Sequence, residues 1–225
     1  MTAAALLAAP ALWAIYTWGS HALTLGCRWR GERTSRTIAL TFDDGPDPET
    51  TPQVLDILES HGVKASFFLV GERAAREPSL ARRIAEAGHD LGNHSWSHRS
   101  LWLAGPRRTA NEVRRGHDAI AQAAGVPPRF FRPPWGLTNL ALFPVLHRLG
   151  TPCVFWTVQT EGQRPASPAL QVERVAKRAI PGAILDLHDA DGVPGAGRRL
   201  VGALPSMIDA LRGEGYTLAP LRDLL

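Results

Sequence analysis

Residues 37–48 read TIALTFDDGPDP. Thr37–Phe42 have the apolar, β-branched make-up of a buried strand, Asp43 and Asp44 close it, and Gly45-Pro46 forces a turn. A short strand that ends in acids is expected where functional groups gather at the carboxyl ends of a parallel sheet. The stretches that follow carry the same logic. A helix is predicted over 51–62, with Pro52 suited to its first turn and Gly62 as its stop. Strands are predicted at 65–71, 89–95, 129–135, 152–158, 183–189 and 216–221, and helices at 79–88, 106–124, 139–149, 169–179 and 198–213. Strand and helix alternating at this spacing predict parallel β/α units. About seven such units favour an α/β distorted (β/α)7-type barrel, closed or nearly closed, over an open doubly wound sheet.

With 225 residues and 44% of them hydrophobic, the chain is long enough for one domain with a substantial core. The net charge of +4 comes mostly from arginine, Lys64 and Lys177 being the only lysines. No aromatic residues interleave with a basic run, which argues against a nucleic-acid partner and leaves an anionic membrane surface open. Cys27 and Cys153 fit no metal-binding pattern and are too few for a disulfide framework.

From Thr2 to Cys27 there is no Asp, Glu, Lys or Arg. Residues 1–27 are long enough for one span, which takes roughly 20 apolar residues, and a hydrophobic N-terminal helix retained as a membrane anchor is the expectation. Arg28, Arg30, Arg33 and Arg36 follow it in a basic linker, 28–36, and the charge rule then places the α/β domain, 37–225, on the cytoplasmic side. A cleaved signal ahead of a secreted or cell-envelope protein, with small residues at Ser20-His21-Ala22, and a buried first helix are the alternatives.

The polar residues that interrupt apolar strands fall near their carboxyl ends. HSWSH supplies His94 and His98, four apart, which can converge on one cation, and two histidines with one carboxylate form an open catalytic metal triad. RPPWG supplies Arg132, held rigid by two prolines and suited to orient a carboxylate. ILDLHD places Asp186 and His188 on one face of a strand.

TFDDGP, HSWSH, RPPWG and a late LHD, in that order, resemble the polysaccharide deacetylases of carbohydrate esterase family 4, the NodB-homology fold. The likeness runs from about Thr37 to the C-terminus. It implies a divalent metal, zinc first with cobalt, manganese or nickel as alternatives, held by Asp44, His94 and His98. It implies Asp43 as general base, His188 as general acid and Arg132 as the residue that holds Asp43, with Pro134, Trp135 and Leu187 against the substrate. The expected activity is hydrolysis of an N-acyl group, acetyl or formyl, from an aminosugar of a polysaccharide or lipid-linked glycan. Trp96 and Trp102 flank the same loops and suit sugar stacking or ordinary packing equally.

Two features depart from the family pattern. Gly162-Gln163 stand where relatives carry an Asp-Trp pair, and Asp186 stands where they carry the leucine that walls the acyl pocket. Asp186 is therefore expected to replace the missing carboxylate beside His188, with Glu161 and Asp189 as competitors. A non-catalytic, membrane-anchored glycan-binding protein on the same scaffold is the alternative reading of these losses.

Overall fold

A computed structural model of the chain describes residues 12–17, 26–161 and 164–225. Its strands are β1 (Cys27–Arg28), β2 (Thr37–Asp43), β3 (Ser66–Leu69), β4 (Asp90–Asn93), β5 (Phe130–Phe131), β6 (Cys153–Val154), β7 (Val158–Gln159), β8 (Ile184–His188) and β9 (Thr217–Leu218). The helices are α1 (12–17), α2 (Thr51–Ser60), α3 (Gly71–Arg76), α4 (Pro78–Glu86), α5 (Pro106–Ala124), α6 (Leu142–Leu149), α7 (Pro168–Arg178), α8 (Ala196–Gly213) and α9 (Leu221–Leu224).

Every strand pairing is parallel, in the order β1-β6-β5-β4-β3-β2-β8-β7, with β9 added beside β2. The sheet curls into the expected distorted barrel, with β1 and β7 at its two edges. Residues 155–157 carry the chain from β6, near one edge, to β7 at the other. The Thr157 hydroxyl donates to the Trp29 carbonyl at 2.9 Å across that gap. The single strand expected over 152–158 is split for this reason: one stretch of backbone cannot ladder on both edges at once.

Side chains alternate between two cores with the period of two that a strand imposes. Ile38, Leu40, Phe42, Leu185 and Leu187 face outward into the helix layer with Leu58, Leu200 and Met207. Ala39 and Ile184 face inward with Phe68, Phe130 and Val154, and Leu221 and Leu224 of α9 plug that end of the barrel. The register stacks the inner residues in layers: Ala39 beside Ile184, then Thr41 beside Asp186, then Asp43 beside His188. Gly92 belongs to this interior, because a Cβ there would collide with the Phe68 ring.

The N-terminus corrects an expectation. Among the described residues no helix is long and apolar enough to cross a membrane, so the single N-terminal span over 1–27 does not stand. The described part of that stretch, 12–17, is helical. It is also tied to the domain: the Tyr16 hydroxyl donates to the Ala104 carbonyl at 2.9 Å, and the Leu140 N–H donates to the Tyr16 carbonyl at 3.1 Å. Residues 1–11 and 18–25 of that stretch lie outside the described residues. The basic segment 28–36 runs along the sheet, with Arg30 Nε donating to the Pro181 carbonyl at 2.8 Å and Gly31 N–H to the Gly182 carbonyl at 2.8 Å.

Candidate active site

Asp43 is the last residue of β2, His94 follows β4, Arg132 follows β5 and His188 ends β8, so the parallel sheet delivers all four to one rim. The non-glycine residues with positive φ among the described residues are Asp44 (76°), Ser95 (67°), His98 (56°) and Trp135 (62°), and all lie at this rim. Left-handed backbone is rare for such residues and persists where the surroundings enforce it, typically at functional sites. The four turns re-aim side chains that an extended strand would send elsewhere.

Asp43, Asp44, His94, His98, Trp135 and His188 line a cavity of about 380 Å³, together with Pro133, Leu137, Trp156, Gln159, Glu161, Asp186, Gly192 and Val193. Arg132 is the cavity's keystone and is wholly buried. Its Nη1 donates to Asp43 Oδ1 and to the Thr41 hydroxyl, each at 2.7 Å, while Nη2 and Nε donate to the Phe155 and Val154 carbonyls at 3.0 and 3.3 Å. One guanidinium thus fixes Asp43 against β2 and β6. Its plane also lies over the Phe68 ring, 4.1 Å from the centroid.

The ligand atoms of Asp44, His94 and His98 lie within 4.8 Å of one another. His94 Nδ1 is 2.7 Å from the Arg132 carbonyl, and since a carbonyl only accepts, Nδ1 carries the proton. The Nε2 lone pair then faces Asp44 Oδ1 at 3.7 Å. Burial pushes the His94 pKa down to about 4, against the pull of Asp43, which keeps the imidazole neutral as a metal ligand must be. His98 Nε2 stands 2.9 Å from Asp44 Oδ1, yet that oxygen has no hydrogen-bond partner. A buried, unsatisfied carboxylate oxygen between two imidazole nitrogens fits a divalent cation. Burial raises the Asp44 pKa, but His98, His94 and His188 outweigh it and hold the carboxyl well below the usual range.

The loop that carries His98 is anchored from α5 and α3. Glu112 of α5 accepts from the Ser97 N–H at 3.0 Å and from its hydroxyl at 2.9 Å. Arg115 lies 3.7 Å over the Trp96 ring, and the Gly71 and Glu72 N–H groups donate to the Ser95 and Trp96 carbonyls, each at 2.9 Å.

Residues 30–154 match the family described as polysaccharide deacetylase, which is more than half of the chain. The chain belongs to the polysaccharide deacetylase family. A peptidoglycan-N-acetylglucosamine deacetylase of Listeria monocytogenes is 33% identical over 192 residues, 85% of this chain but 39% of the relative, so the chain spans about two fifths of that protein's length. A solved peptidoglycan N-acetylglucosamine deacetylase, in complex with 4-naphthalen-1-yl-N-oxidanyl-benzamide, superposes with a TM-score of 0.84 at 32% identity, covering 92% of this chain and 96% of that one. A pseudoenzyme of the same esterase family from Bacillus anthracis superposes with a TM-score of 0.81 at 26% identity, covering 88% and 68%.

The structure brings Asp43, Asp44, His94, His98, Trp135, Asp186 and His188 to the cavity, with Arg132 buried behind it and bonded to Asp43. Two expected substrate contacts do not reach it. Leu187 is fully buried in the outer core, because the strand's alternation turns it away from the face that Asp186 and His188 share. Pro134 is buried, and Pro133 lines the cavity instead. Gly162 and Gln163 lie outside the described residues. Trp102 does not line the cavity.

Asp186 sits beside Arg132, its Oδ1 3.7 Å from Nη1 and without a hydrogen-bond partner. Burial lifts its pKa to about 7, opposed by His188 and Arg132. Burial lowers the His188 pKa, but Asp186 foremost, then Asp44, Asp43 and Glu161, more than compensate, and the net direction is upward. Among the described residues no ion pair or hydrogen bond joins Asp186 to His188, so its influence is through space. Asp189 turns away to accept from the Thr51 hydroxyl. Glu161 is pinned at the cavity wall, accepting from Arg199 Nε at 2.7 Å and from the Ala166 N–H at 2.8 Å. Trp156 and Gln159 were not legible as cavity residues, since they lie in or just after a chain crossing rather than at a recognisable strand end; Glu161, a competitor for the carboxylate beside His188, does line the cavity.

Proposed function

We propose that the chain is a metal-dependent hydrolase that removes an N-acyl group from an aminosugar of a glycan. The observation that supports this most directly is that Asp43, the Asp44–His94–His98 cluster and His188 face one cavity. A divalent cation held by Asp44, His94 and His98, zinc first, would supply Lewis acidity that polarises an amide carbonyl and lowers the pKa of a water.

Asp43 accepts the proton of the attacking water. Arg132 holds Oδ1 of that carboxylate at 2.7 Å, which fixes the base in place. As oxygen bonds to the acyl carbon, the backbone N–H of Trp135 is the donor we assign to the developing charge on the carbonyl oxygen. His188, kept charged by the surrounding carboxylates, gives its proton to the nitrogen as the carbon–nitrogen bond breaks. Without that proton the leaving group would be an amide anion, far too basic to depart. Trp135 is 55% exposed at the rim and tilts against His98, 5.3 Å between centroids, where its indole face is available to a sugar ring.

The acyl group is bounded by the cavity wall. Asp186, in place of the leucine the family carries, makes it more polar, which suits a formyl hydrogen better than an acetyl methyl. A polymer is favoured over a lipid-linked sugar, because the named relatives act on peptidoglycan and the span that favoured a lipid is not found among the described residues.

Amine release from N-acetyl and N-formyl aminosugar oligomers tests the reading. Chelator-sensitive release that disappears in Asp44→Ala, together with bound metal by elemental analysis, is the expected result. Glycan binding with no release from any substrate would instead support a binding protein, a reading that the pseudoenzyme relative and the changed residue at 186 keep open.

A further inference from the structure

The sequence gives no reason to connect Cys27 with Cys153, yet the fold puts them face to face. They are register partners across the parallel β1–β6 pair. Neighbouring strands run about 4.8 Å apart, and in-register parallel residues project from the same face, which lies within the Cα separations that a disulfide spans. Both thiols point into one apolar layer, Cys153 buried among Leu142, Val145 and Leu146, and Cys27 packed against it. Cys27 is half-buried and Cys153 fully buried, and both are thiols here. A cavity of about 390 Å³ lined by Gly26, Phe143, His147 and Cys153 opens beside them.

We propose that Cys27 and Cys153 are a redox pair that closes to an intramolecular disulfide by exchange with an external disulfide. The two sulfurs have distinct roles. The neighbouring Cys153 thiol draws the Cys27 pKa down, whereas burial pushes the Cys153 thiol well up. Cys27, the more accessible and more acidic, attacks one sulfur of the incoming disulfide and releases the other as a thiolate. Cys153 then gives up its proton, attacks Cys27 Sγ and releases the second thiolate. The incoming disulfide gains two electrons and becomes two thiols, and the chain loses two electrons and two protons.

The bond would clamp the strand that holds the active-site arginine. β6 continues into Val154 and Phe155, whose carbonyls accept from Arg132. β1 continues into Arg28, whose carbonyl accepts from the Phe155 N–H at 2.8 Å, and Trp29, which stacks on Phe155 at 4.2 Å. Covalent closure at residues 27 and 153 holds this edge against fraying.

The test equilibrates the folded full-length chain with glutathione and glutathione disulfide, quenches with acid, and alkylates in denaturant with N-ethylmaleimide before intact-mass measurement. The oxidised chain is expected to be two hydrogens lighter with no adduct, to take two adducts after reduction, and to melt at a higher Tm than the reduced chain. Cys153→Ala should trap a lasting glutathione adduct on Cys27, because the resolving thiol is gone, and Cys27→Ser should leave Cys153 unmodified while the chain stays folded. Two maleimide adducts at every oxidising ratio would overturn the proposal. So would a stable glutathione adduct on the unsubstituted chain, or a bond formed only between two chains.

Discussion

Asp186 is the residue at which this chain departs most sharply from an apolar strand, and its environment makes a pH prediction. Its carboxyl is lifted to about 7 by burial, with Asp43 and Asp44 raising it further and His188 and Arg132 opposing. An unfolded aspartate loses its proton near pH 4, so between about 4 and 7 the folded chain holds a proton that the unfolded chain has lost. Stability therefore falls as pH rises through that window, by about 1.4 kcal/mol for each pH unit at most. Asp186→Asn removes this penalty. Its Tm should match the parent near pH 4 and exceed it near pH 8, which calorimetry across pH would show. In catalysis the same substitution removes the carboxylate that raises His188 most, so the alkaline limb of kcat/KM should move to lower pH. An unmoved limb would mean that His188 is charged by its other neighbours. The sequence made Asp186 and His188 conspicuous because polar residues in an apolar strand are anomalous. It misplaced Leu187, whose side of the strand depends on a one-residue phase.

Among the elements, α5 shows why local propensity misleads. Gly116 sits inside this long helix, where alanine would ordinarily gain about 1 kcal/mol. Here a Cβ at Gly116 would meet the Ser95 carbonyl carbon at 2.7 Å, and one at Gly71 would meet the Gly116 Cα at 2.7 Å. Gly116→Ala should therefore destabilise, by about 1–3 kcal/mol in chemical denaturation, the usual cost of overpacking. A second prediction concerns what α5 supports. Glu112 braces Ser97 one residue before His98, so Glu112→Gln should weaken metal retention about tenfold or more in competition with a chelator while the helix stays intact. Helices such as α5 and α7 were legible from apolar spacing and flanking Pro or Gly. The crossing from β6 to β7 was not, because the hydrophobic run continues through a break that only closure of the sheet imposes.

For the whole molecule, Arg132 is the joint between barrel and chemistry. It is fully buried and reaches β2 through Thr41 and Asp43 and the β6 edge through Val154 and Phe155. Arg132→Met would leave the Asp43 carboxylate buried without its partner. The expected loss is about 3–5 kcal/mol of stability, read by denaturant unfolding, together with loss of activity. Arg132→Lys should recover part of the stability but little activity, since an ammonium cannot hold Thr41, Asp43 and two carbonyls in one planar fork.

By itself the sequence determined the parallel β/α alternation and the family, and it singled out Asp43, Asp44, His94, His98, Arg132 and His188 as candidates, because these follow from local periodicity and from motifs whose residues are close neighbours in the chain. The tertiary structure alone decided which residues wall the cavity, that Leu187 faces the outer core, that no described helix spans a membrane, and that Cys27 meets Cys153. Each of these depends on strand register and on how the sheet curls, and distances across a barrel are set by which strands pair rather than by spacing along the chain.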